Sequence, residues 1–128
     1  MVVDTSALMA IFFVEPDASV FTAAILNDTR RLISAATLVE ACIVAIRWRQ
    51  PDPISALDML VARLGIEVIP VDREQVLLAR DGFRRFGKGR DRAGLNFGDC
   101  FSYALAIATG EPLLFKGEDF SKTDVAVA

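Results

Sequence analysis

Histidine is absent from the 128 residues. That removes the commonest general base, the usual activator of a serine or cysteine nucleophile and the commonest transition-metal ligand. Any catalysis must rest on carboxylates. Cysteine is scarce: Cys42 and Cys100 stand far apart in apolar surroundings and form no CxxC, which points to free packing thiols rather than a disulfide or a zinc site. Long apolar runs are missing too. The longest, Ala7 to Val14, has eight residues, far short of the roughly 18 to 20 that a membrane span requires. No basic segment precedes that run, no cleavage-like site follows it, and Asp4 lies just upstream, so no signal peptide is read and a cytoplasmic location is expected. No repeat, low-complexity tract or linker breaks the chain, which is read as one domain over residues 1–128. Glycine-rich phosphate loops are lacking as well, since "GKGRDR" ends in Arg92 where a dinucleotide fingerprint needs glycine.

What is present is apolar surface and unevenly placed charge. Hydrophobic residues make up 53% of the chain and the mean hydropathy is +0.40, so an oligomer or an obligate partner is expected to cover part of the surface. The net charge of −3 conceals a basic stretch in which Arg84, Arg85, Lys88, Arg90 and Arg92 face only Asp91 within nine residues.

The chain opens with a β-branched strand, "MVV", followed by the turn and cap residues Asp4, Thr5 and Ser6 and a helix-like apolar stretch. A second helix, Asp17 to Asn27, has Val20, Phe21, Ala24 and Ile25 as its inner stripe. "RLIS" predicts a strand, and Ser34 a cap for an apolar helix running to about Trp48. After the "QPDP" break, Leu57, Leu60, Val61 and Leu64 predict a helix that Gly65 stops. "IEVIPV" is a strand, Asp72 caps the next helix, "GKGRDRAGLN" is a loop, and Asn96 caps a last long helix ending before Gly110. "PLLF" is a strand, "KGEDFS" a turn and "DVAV" a final edge strand. Strands alternating with helices imply an α/β fold of three layers, a central parallel sheet of four to five strands between helices.

In such sheets ligands gather where strands end and helices begin. Asp4, Asp99, Glu118 and Asp119 all fall there, although each alone has an ordinary explanation as a cap or turn residue. Glu40 is different. It sits in the middle of the apolar helix among Leu38, Val39, Ala41, Cys42 and Ile43, and burying an unpaired carboxylate costs several kcal/mol. Arg47 shares its face but lies two turns away, roughly 10 Å along the axis, too far for direct contact. An arginine from elsewhere is one solution. The other is that Glu40 meets Asp4 and Asp99 around a divalent cation, which an all-oxygen set without histidine or paired cysteine makes Mg2+ or Mn2+ rather than zinc.

Three blocks, "MVVDTSALMAIFFVEPDA", "LNFGDCFSYALA" and "PLLFKGEDFSKTD", in this order over essentially the whole chain, resemble the PIN-domain ribonucleases, and among them the VapC-type toxins of bacterial toxin–antitoxin pairs. The resemblance implies that Asp4 and Asp99 are the principal metal-binding aspartates, that Glu40 is the acid of the third helix, and that Asp119 is the fourth, with Glu118 beside it the alternative. It gives Thr5 and Ser6 a supporting role around Asp4 and bound water. The implied activity is metal-dependent hydrolysis of RNA phosphodiesters, leaving a 5′ phosphate and a 3′ hydroxyl. The implied partners are a VapB-type antitoxin, a second copy of the chain and the RNA. Lys88, Arg90 and Arg92 are then expected to guide the RNA backbone towards the acids.

Other readings fit less well. A phosphatase of the haloacid dehalogenase type needs an acid where Ser6 stands, and a receiver domain needs partners that Asp72 lacks. The alternative from another class is a PIN-like protein-binding module that has lost its chemistry, against which all four acidic positions are filled.

Overall fold

The computed structural model describes residues 1–48 and 51–128. Along the chain run β1 (Val2–Val3), α1 (Thr5–Phe12), α2 (Ala18–Asn27), β2 (Leu32–Ser34), α3 (Ala35–Ile46), α4 (Pro53–Leu64), β3 (Glu67–Ile69), α5 (Arg73–Phe86), α6 (Asp99–Thr109) and β4 (Leu113–Leu114), then one 3-10 turn (Phe120–Lys122). The strands form a single parallel sheet in the order β3-β2-β1-β4, with Val2 in register with both Leu32 and Leu113.

Strand alternation sorts the core into two halves. Val3, Ile33 and Leu114 face one way and pack with Leu8, Ile25, Ala41 and Leu57 from α1 to α4. Val2, Leu32 and Leu113 face the other way and pack with Leu95, Tyr103 and Leu105. The expected three-layer α/β arrangement is thus formed, with α1–α4 over one face and α5 and α6 over the other. Gly82 lets α5 approach α6, because a Cβ there would sit 2.5 Å from the Tyr103 ring.

Caps match much of the reading. Asp72 accepts from the Gln75 N–H at 2.8 Å, and Gly65 and Gly110 end α4 and α6 in the left-handed region that an L side chain resists. Four expectations need correction. "DVAV" is not a strand: only Val127 bridges to Leu113, because that edge of β4 offers just the Leu113 N–H and C=O, which bond Ala126 and Ala128. Val20 is 67% exposed, so the inner stripe of α2 is Phe21, Ala24 and Ile25. Helix α3 ends at Ile46, and Trp48 beyond it stacks on Phe13 with ring centroids 4.4 Å apart. Ser34 stands at the start of α3 but makes no side-chain cap, and its buried hydroxyl has no partner among the described residues. Gln50 of the "QPDP" break lies outside the described residues; Asp52 caps α4 with Pro53 in its first turn, where a missing N–H costs nothing.

Candidate active site

Asp4 follows β1 directly and caps α1. It is only 3% exposed, yet its charge is well served: Ser6 donates to Oδ2 through its N–H at 2.9 Å and its hydroxyl at 2.6 Å, and Ser102 of α6 donates to Oδ1 at 2.7 Å. Since the one Ser102 proton goes to a carboxylate, the 3.1 Å contact between the Ser102 and Thr37 hydroxyls is donated by Thr37. Ser6 also accepts from the Lys116 N–H at 2.9 Å, which ties the segment leading to Asp119 to the first turn of α1. Thr5 donates to Glu40 Oε2 at 2.6 Å. Two adjacent hydroxyls therefore hold two different acids.

Asp99 opens α6 through a reciprocal pair: its N–H donates to Asn96 Oδ1 at 3.0 Å and its Oδ2 accepts from the Asn96 N–H at 2.8 Å. This is the capping-box geometry expected from Asn96. Between them lies Gly98, where a Cβ would fall 2.3 Å from Glu40 Oε1. Bare backbone at 98 thus lets the half-buried Glu40 carboxylate come up to the turn that carries Asp99.

Burial pushes the Asp99 carboxyl up to about 6; the Asn96 N–H opposes this, and the charges of Asp4, Glu40 and Asp119 add to it. Among the described residues none of these four acids is ion-paired, and Arg47 pairs with none of them. Asp119 is exposed at the start of the 3-10 turn, whereas Glu118 beside it lies 3.8 Å from Lys122. The acids are neighbours in charge but not yet in coordination distance: no group of three or more acidic or cysteine side chains among the described residues is placed to hold an ion. Their chemistry nevertheless fits a hard divalent cation: the set is all oxygen and without an ion pair among the described residues, and Asp4 and Glu40 are held by neutral hydroxyl donors.

Lys88, Arg90 and Arg92 are exposed on the loop before α6 and make no ion pair among the described residues. Arg84 and Arg85 are already engaged, Arg84 with Asp81 at 2.6 Å and Arg85 with Asp124 at 2.7 Å. Both cysteines are free, Cys100 buried and Cys42 half-buried. Sequence reasoning passed over Ser102, Thr37 and Gly98. The spacing of Ser102, three residues after Asp99 and hence on the same helical face, was a usable signal.

Comparison with known proteins agrees with this architecture. The PIN domain family model matches residues 1–126. The chain is 50% identical to a Ribonuclease VapC of Mycolicibacterium smegmatis over 98% of each chain. It is 49% identical to Ribonuclease VapC30 of Mycobacterium tuberculosis, over 98% of this chain and 96% of that protein. Among solved structures, the fold is similar to VapC20 of Mycobacterium tuberculosis, described as a sarcin-ricin loop cleaving toxin (TM-score 0.75, 17% identity, 99% of this chain and 97% of that one). It is equally similar to a chain of VapBC2 from Rickettsia felis bound to a promoter DNA fragment (TM-score 0.75, 17% identity, 98% and 94%). A match over nearly every residue, with half of them identical in the nearer relatives, places this chain in the PIN-domain family, among the VapC ribonucleases.

Proposed function

We propose that the chain is the endoribonuclease toxin of a VapBC-type toxin–antitoxin pair, hydrolysing RNA phosphodiesters with Mg2+ or Mn2+ held by Asp4, Glu40, Asp99 and Asp119. The observation that carries the reading is the charge balance: three acids from other segments, Asp4, Glu40 and Asp119, act on Asp99, with no basic side chain paired to any of the four among the described residues. Around α5 the same chain neutralises its acids internally, Asp81 by Arg84 and Asp124, near the end of the chain, by Arg85. The ribonuclease names of relatives near 50% identity support the substrate class, and a toxin–antitoxin complex among the similar folds supports an antitoxin partner.

A divalent ion bound there would supply Lewis acidity and a water of lowered pKa. The chain's own part is to position and to attract. Ser6 and Ser102 fix both oxygens of Asp4, and Thr5 fixes Glu40, so the acids keep their orientation despite mutual repulsion. Asp119, which adds to the field on Asp99, is the fourth acid in preference to Glu118. Lys88, Arg90 and Arg92 draw the RNA backbone towards a site that would otherwise repel it. The exposed apolar residues Val39, Ile43 and Met59 of α3 and α4 offer surface to a VapB-type antitoxin and to a second copy, and the protein works in the cytoplasm.

Thermal melting of the wild-type chain and of Glu40→Gln, each in chelator and in millimolar Mn2+, tests the site. The ion should stabilise the wild type, while the variant, relieved of repulsion, should melt higher in chelator and gain less from the ion. A variant that melts lower, with an ion that changes neither protein, makes Glu40 a structural residue. A wild type freed of partners that cleaves no RNA with either ion is the silent binding module instead.

A further inference from the structure

A groove of about 840 Å³ runs between α5 and α6, and none of the four acids lines it. Val76, Leu77 and Phe83 form one wall, Phe97 and Phe101 the other. The second wall is aromatic: Phe97 is 80% exposed and meets Phe101 edge-on, with ring centroids 5.0 Å apart. Phe97 lies two residues before Asp99, and Cys100 and Phe101, which follow it, also line the groove. The aromatic wall thus adjoins, along the chain, the turn at Gly98 that meets Glu40 and carries Asp99. The rim is basic: Arg84 is paired with the single acid Asp81, and Arg80 and Arg90 have no ion pair among the described residues.

From this geometry we infer that the α5–α6 groove is a base-binding subsite, in which an unpaired nucleotide next to the scissile phosphate stacks on Phe97 while the rim arginines hold the flanking phosphates. The inference rests on the nuclease reading above and specifies its substrate as single-stranded RNA at the point of cleavage. Flat apolar rings joined to a cationic rim suit a polyanion whose bases expose π faces. Bases in a duplex are already stacked on one another and cannot enter. A second copy is a poorer occupant, because a contact between two such faces would bury Arg80 and Arg90 with Asp81, already paired to Arg84, as the one rim acid to balance them.

The test uses fluorescein-labelled 12-nucleotide RNA, as a random-sequence single strand and as a duplex of equal length. Binding to the full chain is followed by anisotropy in chelator at low salt. Phe97→Ala should weaken single-strand binding roughly 5- to 150-fold, the range for losing one stacked base, leave duplex binding unchanged, and be rescued by Phe97→Trp. Single-strand binding that is unaltered in Phe97→Ala, or lost in proportion with duplex binding, overturns the subsite. So does sedimentation showing that Phe97→Ala only converts a dimer to monomers while RNA affinity per chain stays the same, which makes the groove a contact between copies. Cleavage separates this inference from the reading beneath it. Divalent-dependent cleavage that Asp4→Asn abolishes, alongside Phe97→Ala binding at wild-type strength, removes the groove alone. Phe97-dependent binding by a chain that never cleaves removes the nuclease reading alone.

Discussion

Helix α6 serves two acids, and it treats them in opposite ways. At its first residue, Asp99 is part-buried beside Asp4, Glu40 and Asp119, and its carboxyl rises to about 6. One turn on, Tyr103 donates to Asp124 Oδ1 at 2.9 Å while Arg85 of α5 holds Oδ2 at 2.7 Å. Burial alone would raise Asp124 as well, but the hydrogen bonds from Arg85 and Tyr103 outweigh it and leave that carboxyl below its ordinary value. Asp99 bonds only the turn at Asn96 that starts the helix, whereas Asp124 ties the helix and α5 to the end of the chain. Only Asp124 has its charge balanced within the protein, so the Asp99 end is where a cation from outside has the most to contribute.

The largest break in this comparison comes from neutralising one acid of each kind. Asp4→Asn should lower divalent-dependent cleavage by more than about 100-fold, beyond the range for losing a supporting hydrogen bond, and leave the fold intact. Asp124→Asn removes an exposed ion pair, and such pairs contribute little. It should leave cleavage unchanged and move Tm by no more than about 4 °C. Steady-state rates and melting curves of the two variants side by side decide the matter; equal losses of activity would mean that the two acids share one role.

The sequence made the scaffold of this difference readable where the signal is local. Asp4 after a β-branched pair, the Asn96–Asp99 box and the glycine stops at Gly65 and Gly110 each depend on residues within a few positions, and the resemblance supplied the order of the blocks. Local signals could not settle which way α2 rolls, because one turn of apolar residues allows Val20 in or out until α1 and α4 cover the helix. Nor could they show that β4 has room for only one bridge to Val127. The Ser102–Asp4 hydrogen bond joins residues 98 apart, and a serine inside "DCFSYALA" reads as a small packing residue until the fold brings Asp4 over it. Gly98 looks like an ordinary turn glycine until Glu40 arrives from α3.

Ser102 therefore sharpens the comparison at intermediate scale. Its hydroxyl is the α6 contribution to Asp4, as that of Tyr103 is to Asp124. Ser102→Ala should reduce cleavage about 10- to 100-fold through weaker metal affinity. It should also cost about 1–3 kcal/mol, because Thr37 and one Asp4 oxygen lose a buried partner. Ser102→Thr, which keeps the hydroxyl, should recover much of both. A shift in the Mn2+ concentration needed for half-maximal rate is the readout that lost packing would not produce.

The smallest effect is in pH, and its sign differs between the two acids. For Asp99 the folded value of about 6 lies above the ordinary 3.8, so the native state binds more protons between those values. Its contribution is fully present below pH 3.8 and is lost as pH rises through 6. Asp124 is depressed, so its contribution is present above its ordinary value of 3.8 and is lost as pH falls through the lowered one. In chelator, wild type should therefore lose roughly 2–5 °C of Tm relative to Asp99→Asn between pH 4.5 and pH 7.5. Relative to Asp124→Asn, wild type should lose ground only when the solution is taken below pH 4. Addition of Mn2+ at pH 7.5 should reverse the first difference without touching the second, because a cation that binds the ionised acids replaces the stabilisation that protonation gave them. If both differences respond to Mn2+ alike, the ion acts on the surface at large, and the asymmetry between the two acids does not mark a metal site.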